Sequence, residues 1–443
     1  MTISRILHWI FFLMILIPLS VDNVWSLPIG HYHFRVQYLG AAGLAALFFT
    51  QSPRTITLSL QKYFAQGWIK FFLGMALVGA VGTFLSVHQS RAIYFLFWAM
   101  GTLIGVPFLV RYSRLTLGPV IFRLLTGYLL VQSLVIVCDF FLCFSTKAQH
   151  TIARVMTYDY VGGILVCRPH AWYQEPGYFC GFALIVLVLI RSILNRGSLD
   201  GAISKRFYLA TYILGLLAVG LTLSRMGLLG VIALLVFEVG HFFAVKVGQK
   251  SPRSVAAPMS KTNWVIAGVL ISILSVGLVR SWPALDGYIV SSLRDPGNDP
   301  SFENRYGRLL SSLQVFYKNP IVGAGPGAAG AYLVEKLPDS MFVRFQSDAR
   351  KNSLKNDPFS LSLFSELLSE WGSLGFIFFS LAMIAILRAL PGFTRWRLAT
   401  ILVIVYAATQ TLARFDLWWA IASLMEFGFS PDFSGTSRDN SGK

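Results

Sequence analysis

Charged side chains are scarce in this sequence of 443 residues. They make up 13% of the chain, whereas hydrophobic residues make up 55%. About a quarter of the residues in a soluble domain are charged, so this composition excludes an ordinary soluble enzyme or binding module. Acidic residues are especially few: 20 Asp and Glu stand against 37 Lys and Arg, which gives a formal charge of +17. The composition predicts a basic, polytopic membrane protein.

Patterns that bind metals and nucleotides are also missing. The four cysteines, at positions 138, 143, 167 and 180, have no spacing typical of a metal site. The segment 323–330 is rich in glycine and alanine but lacks the lysine of a P-loop. These absences argue against a cysteine-based metal site and against a P-loop nucleotide site. We expect segment 323–330 to be a tight turn that enters a short helix.

Apolar runs fill most of the chain. A run of about 20 apolar residues crosses the hydrocarbon core as a helix, and we count about twelve such runs, the last of them short. They occupy residues 7–21, 36–50, 71–87, 92–110, 120–142, 178–190, 207–223, 226–245, 264–278, 374–387, 398–412 and 417–427. The predicted fold class is an all-α integral membrane protein with one large extracytoplasmic loop.

Basic residues in the short loops predict the orientation. With the amino terminus in the cytoplasm, the basic clusters of the inward loops all fall on that side, at 54–70, 111–123, 191–206, 246–261 and 388–397. In this frame both termini are cytoplasmic. Two longer segments, 144–177 and 281–358, then lie outside.

The larger outward segment is cationic. It carries Arg305 and Arg308 close together, and Arg294, Arg344 and Arg350 elsewhere. Nucleic acid is a poor candidate partner on that side of a membrane, whereas a lipid-linked phosphate or diphosphate lies at that depth. Arginine suits phosphate because its planar fork donates two parallel hydrogen bonds and keeps its proton.

A second cationic site follows from helix length. Residues 207–245 are apolar over about twice the length that one span needs, so the chain must turn within them. We predict the turn at 222–227, with Ser224 as the N-cap of the next helix and Arg225 at the outer membrane face beside a helix amino terminus. Such termini attract anions. The alternative is an arginine that only extends to the interface.

The segment 168–178 contains a third candidate site. Glu175 and Pro176 fit the start of a helix, which is sufficient to explain them as a cap. The functional alternative is that Glu175 orients or deprotonates an acceptor hydroxyl, with His170 or Arg168 nearby, as general-base chemistry requires.

Two carboxylates precede the tenth predicted span. Glu366 and Glu370 are four residues apart and share a helix face. They are interpreted either as solvated carboxylates at the end of a loop or as part of the lining of an acceptor groove.

Several of these elements, in this order, resemble the O-antigen ligase and polymerase superfamily. They span residues 168–375, about half of the chain, and the span count and the large outer loop agree with the resemblance. The matching elements are Ser224-Arg225, Arg305 and Arg308 followed by 319–325, Asn356, 370–375, and the Glu-Pro element at 175–179.

The resemblance implies a bacterial inner-membrane glycosyltransferase of the GT-C-like membrane class that uses undecaprenyl-diphosphate-linked glycans without metal or cofactor. Arg225, Arg305 and Arg308 would neutralise the diphosphate, and Glu175 would assist the acceptor. Substrate-binding roles would fall to Ser224, Arg168, His170, Asn356 and Glu370. The bilayer, a flippase and a chain-length regulator are the further partners implied.

The sequence leaves the type of transfer open. Ligases of this superfamily carry a histidine late in the large loop, and this chain has none after His241. The Glu-Pro element favours a polymerase that joins repeat units into O-antigen or exopolysaccharide. The alternatives are a ligase that transfers the glycan to lipid A-core or another acceptor, and a transporter or flippase of the same lipid-linked glycans. A transporter would be expected to carry charges along a central path.

The predicted division of the chain follows these elements. The segments are an amino-terminal membrane part at 1–206 with the outer loop 144–177, a superfamily-related core at 207–375 with the loop 281–358, carboxy-terminal spans at 376–430, and a disordered tail at 431–443.

Overall fold

The computed structural model of the chain is predominantly α-helical. It describes residues 3–16, 26–29, 32–146, 157–161, 164–171, 173, 176–196, 202–246, 300–336, 362–408, 412 and 414–428. The predicted sites at Glu175 and Asn356 lie outside the described residues. The same is true of the predicted ninth span, 264–278, and of the tail.

The described residues form fifteen α-helices. In chain order they are α1 (Ile3–Leu16), α2 (Val36–Phe49), α3 (Pro53–Phe64), α4 (Gly67–Leu85), α5 (Gln89–Met100), α6 (Val106–Leu117), α7 (Val120–Thr146), α8 (Pro176–Arg196), α9 (Ala202–Leu221), α10 (Arg225–Lys246), α11 (Pro300–Lys318), α12 (Ala329–Lys336), α13 (Leu363–Ala389), α14 (Gly392–Ala408) and α15 (Phe415–Gly428). A π-helical segment, Gly101–Gly105, joins α5 to α6.

Two small antiparallel hairpins accompany the helices. Strand β1 (Ser26–Ile29) pairs with β2 (Tyr32–Arg35), and β3 (Thr157–Val161) pairs with β4 (Ile164–Arg168). Both hairpins lie between apolar helices, in segments predicted to face outward. The architecture is otherwise helical and consistent with the predicted all-α membrane class.

Five helical segments of the described residues are long and apolar enough to cross a membrane. They are Gly67–Leu85, Gln89–Leu117, Val120–Leu142, Pro176–Asn195 and Leu363–Ala389. The other apolar helices overlap further predicted spans, but α1 and α2 have only 14 residues each. The chain is thus a membrane-embedded helical protein by length and composition.

Helix α8 forms the centre of the bundle. In its most apolar window 89% of the residues are buried, against 33% in the corresponding window of α13. Helices α9, α10, α14 and α15 surround it. In this window α8 therefore has almost no surface left for lipid.

Buried ion pairs mark one end of the bundle. Glu238 of α10 accepts two hydrogen bonds of 2.8 Å from Nε of Arg191 and lies 3.1 Å from Nη2 of the fully buried Arg397. Arg114 pairs with Glu426 at 3.0 Å. All three arginines were predicted to be cytoplasmic, so we call this the inner end. The opposite end, where α8 and α10 begin, is the outer end.

Two of the predicted domain boundaries fall within helices. The boundary after residue 206 lies inside α9, and the one after residue 375 lies inside α13. Neither position coincides with a change of structural unit. The division into segments stays a prediction.

Candidate functional site

The turn between α9 and α10 lies at the predicted place. Helix α9 ends at Leu221, Leu223 has a φ of +52°, and α10 begins at Arg225. Ser224 caps α10: its Oγ accepts the N–H of Gly227 at 3.5 Å, and its carbonyl accepts the N–H of Leu228 at 2.8 Å. The predicted turn and cap are confirmed. Arg225 therefore stands, half-buried, at the amino terminus of a 22-residue helix.

The start of α8 packs directly on this turn. Sγ of Cys180 lies 3.1 Å from Oγ1 of Thr222, and a side chain at Gly227 would meet the same sulfur. His170 is buried, and the ring of Tyr173 lies 5.8 Å from that of Phe179. The segment of the Glu-Pro element thus adjoins the turn that carries Arg225. Arg168 ends strand β4, and its side chain is outside the described residues.

A further arginine, which the sequence interpretation left out, lies at the same place. The guanidinium carbon of Arg414 stacks 4.0 Å from the ring centroid of Tyr178, at the start of α8. The carboxylate of Asp416 accepts two hydrogen bonds from it, of 3.0 and 2.7 Å. The Arg-Phe-Asp sequence between the last two apolar runs falls in an outward loop of the predicted topology. This outward position in the sequence could have identified Arg414 as a candidate site residue.

Glu366 and Glu370 are buried, so their interpretation as solvated loop-end carboxylates is wrong. Their exposed fractions are 9% and 4%. Oε2 of Glu366 accepts the N–H of Leu412 at 2.7 Å, and Oε2 of Glu370 accepts the N–H of Gly327 at 2.7 Å. Helix α13 begins eleven residues before the predicted span 374–387, at Leu363, and other loops cover this added part.

Helix α13 is broken at Gly372, whose φ of +66° and ψ of −170° are not helical. In a continuous helix the N–H groups of Ser373 and Leu374 would bond four residues back. Here they donate instead to the loop that follows α11: Ser373 to the carbonyl of Pro320 at 2.9 Å, and Leu374 to that of Ile321 at 3.2 Å.

The carbonyls released by this break are also bound by the loop. The carbonyl of Ser369 accepts the N–H of Ala324 at 2.9 Å, and that of Glu370 accepts the N–H of Gly325 at 3.1 Å. The loop and the helix, which are far apart in sequence, thus donate backbone hydrogen bonds to each other in both directions. Buried backbone groups need such partners, because leaving them unpaired is costly.

The loop 319–327 fits only because of its glycines. Gly323, Gly325 and Gly327 have positive φ, and a side chain at Gly325 would come within 2.8 Å of the carbonyl of Gly82 in α4. Nε of Arg91 donates to the carbonyl of Gly327 at 2.6 Å, so this residue is held by Glu370 on one side and by Arg91 on the other. The predicted tight turn and the short helix after it, α12, are confirmed.

Arg305 and Arg308 lie on helix α11, which ends at this loop and packs against α13. Residues three apart share a helix face, so the two arginines belong to one side of α11. Arg308 is half-buried, and the side chain of Arg305 is outside the described residues. The helix places the pair within four turns of the Gly-rich loop, on the same structural unit as Glu370.

The outer end therefore holds two adjoining clusters. One surrounds the start of α8 and includes Arg225, Arg414 and Glu366; the other surrounds the loop 319–327 and includes Glu370. Glu366 and Glu370, one helical turn apart, join the clusters. Among the described residues no group of three or more His, Cys, Asp and Glu could hold a metal ion.

Such an arrangement is suited to an anionic ligand. The carboxylates are engaged with backbone N–H groups or with Arg414, while Arg225 stands at a helix amino terminus, where the macrodipole favours negative charge.

No family model matches the chain, and no curated protein is significantly similar to it.

Proposed function

We propose that the protein is a membrane glycosyltransferase that polymerises undecaprenyl-diphosphate-linked oligosaccharide repeat units on the outer face of the bacterial inner membrane. About twelve spans and a GT-C-like helical class belong to this proposal. The observation that supports it best is the capped turn that sets Arg225 at the amino terminus of α10, against the start of α8. A guanidinium and a helix terminus at one place favour a diphosphate.

The chemistry of the proposal is a displacement at a sugar carbon. A hydroxyl oxygen of the acceptor glycan attacks the anomeric carbon of the donor, and the bond from that carbon to the diphosphate oxygen breaks. The hydroxyl proton passes to a base, for which Glu175 is the proposed residue. Undecaprenyl diphosphate leaves with the bonding electron pair. Negative charge grows on the leaving group, and fixed guanidinium groups of Arg225, Arg305 and Arg308 lower the barrier.

The test replaces Arg225 or Arg308 by Ala in the native host, followed by gel separation of the surface polysaccharide. Loss of a preorganised charge at the reacting group lowers turnover by about 10²- to 10³-fold, so we expect the long chains to disappear. Lys318→Ala is the matched control, because Lys318 is exposed on the same helix as Arg308. That variant keeps normal chains.

The gel also separates the candidate functions. Single repeat units displayed without long chains identify a polymerase, and loss of every displayed unit identifies a ligase. Normal chains in both arginine variants, at normal protein levels, would overturn the proposal.

A further inference from the structure

A cavity lies at the inner end, away from the candidate site. It has a volume of about 580 Å³ and opens between the start of α4 and the end of α13. Its lining combines an apolar part with two arginines. The lining residues that matter here are Gln66, Gly67, Trp68, Ile384, Arg111 and Arg388.

The walls of this cleft are apolar and partly turned outward. Trp68 is almost completely buried, whereas Leu381 and Ile384 of α13 are 37% and 44% exposed. In a membrane-embedded helix such exposed apolar residues face hydrocarbon. The cleft therefore continues from the protein interior to the lipid phase and suits an acyl chain.

The rim of the cleft is positively charged. Arg111 and Arg388 line it from two different helices. The carboxylate of Glu426, which acts on Arg111, is already hydrogen-bonded to Arg114 at 3.0 Å. One carboxylate thus faces the positive charges of both Arg111 and Arg114, so the rim carries more positive than negative charge.

The start of α4 adds to this charge. Gln66 is the N-cap but makes no side-chain cap bond, because its amide oxygen accepts the Trp68 indole N–H at 2.8 Å. The first N–H groups of the 19-residue helix are therefore left without an acceptor on the side chain of the cap residue. The amino end of a helix carries a partial positive charge that attracts anions.

We propose that this cleft binds an anionic phospholipid of the inner leaflet, with its phosphate between Arg111, Arg388 and the start of α4 and an acyl chain against Trp68 and Ile384. Guanidinium forks bind phosphate oxygens in pairs. Basic pockets between membrane helices at the cytoplasmic face are a recognised form of site for anionic headgroups. The cleft is independent of the proposed glycosyl transfer at the outer end.

The test is lipid retention by the full chain in detergent, measured by native mass spectrometry with phosphatidylglycerol and phosphatidylcholine of identical acyl chains. We expect the wild-type protein to retain phosphatidylglycerol preferentially. The double variant Arg111→Gln/Arg388→Gln should reduce that retention by about tenfold or more, since a hydrogen bond to a charged group is lost at each position. Arg206→Gln, an exposed arginine at the same end, is the control and leaves retention unchanged.

A second variant tests the cleft if the double variant does not fold. Gly67 lines the cleft, and no neighbouring atom lies within 4 Å of the position that the first carbon of a side chain there would take, so Gly67→Leu adds apolar volume at the cleft with an unobstructed Cβ. It should reduce retention of phosphatidylglycerol while the thermal unfolding midpoint changes little. Equal retention of the two lipids by the wild-type protein would overturn the proposal. The proposal would also be overturned if the protein were a dimer, if Gly67→Leu dissociated that dimer, and if the variant retained as much phosphatidylglycerol as the wild-type protein.

Discussion

The carboxylate of Glu370 has a structural task that its sequence position does not reveal. It accepts the N–H of Gly327 at 2.7 Å in a buried place, and it thereby anchors the loop 319–327 to α13. The superfamily resemblance assigns Glu370 to substrate binding. Replacement of Glu370 by Gln separates the anchoring role from a chemical role. The amide oxygen of Gln still accepts a hydrogen bond and can anchor the loop, but the amide has no negative charge.

We predict that Glu370→Ala lowers the unfolding free energy by about 1–3 kcal/mol, because the buried N–H of Gly327 loses its acceptor. Glu370→Gln should recover most of this loss. Thermal unfolding of the purified protein in detergent measures both variants. A Gln variant as unstable as the Ala variant would contradict the anchoring role, and a stable Gln variant without polymer in the host would add a chemical role.

Local chemistry explains which residues of the site could be predicted. Ser224 and Arg225 could be placed because a cap and a helix start depend on neighbours within four residues. The partner of Glu370 could not, because Gly327 is 43 residues away and no periodicity links them. Arg414 could have been found from its outward loop. Its contact with Tyr178, however, depends on the packing of α15 against α8.

At the scale of elements, the break in α13 and the loop 319–327 form one unit. Gly323 has a φ of +74°, and a side chain there would overlap the backbone of Glu370. A non-glycine residue in this conformation costs about 1–2 kcal/mol, and the overlap adds to that cost because backbone cannot move aside.

We therefore predict that Gly323→Ala destabilises the protein by more than about 2 kcal/mol. Gly127→Ala is the matched control: no neighbouring atom lies within 4 Å of the position that a side chain there would take on α7, and Ala is the better helix former. The thermal unfolding midpoints of the two variants, measured in the same detergent, should differ clearly. Equal midpoints would show that the loop adapts to a side chain.

The sequence predicted the turn within 222–227 but not the break at Gly372. The first follows from length, since an apolar stretch of that extent cannot be one span. The second depends on hydrogen bonds to Pro320 and Ile321, which lie about fifty residues earlier. Gly372 and Gly375 are weak helix formers, but glycine alone does not determine where a helix breaks. Helix α3 was missed for another reason: Ser52 and Pro53 are a helix-start signal within a segment interpreted as a loop.

For the whole molecule, the two ends of the bundle carry different electrostatic arrangements. At the inner end Arg191 and Arg397 pair with Glu238, and Arg114 pairs with Glu426. The outer end gathers Arg225, Arg308 and Arg414 around loops and helix starts. The alternation of basic loops predicted this division, because each span reverses the direction of the chain.

The orientation is predicted to place Lys318 outside and Lys205 in the cytoplasm. In a variant whose four cysteines are replaced by serine, Lys318→Cys should react with a membrane-impermeant maleimide in intact cells. Lys205→Cys should react only after lysis, since both positions are exposed and are predicted to lie on opposite sides of the membrane. The reversed pattern would contradict the orientation and, with it, the outer-face glycosyl transfer.

The general architecture could be predicted from hydropathy, because the bilayer requires long apolar helices with satisfied backbone groups. The enclosed position of α8 could not be. Its apolar run resembles that of α13, yet the two differ in burial by the neighbours that surround them. An apolar composition predicts that a segment is shielded from water, but it does not predict whether lipid or protein surrounds the segment.

The exchange of hydrogen bonds between the loop 319–327 and α13 also governs how the chain can be divided. A soluble fragment that contained α11, the loop and α12 would lose its acceptors on Ser369 and Glu370 and its donors on Ser373 and Leu374. The membrane part would be left with the same groups unpaired in an apolar setting, where water does not replace them. The loop 319–327 is therefore not an appendage of α13. It completes the hydrogen bonding of the helix that it interrupts, so the backbone groups of the loop and of that helix are paired only when both are in place.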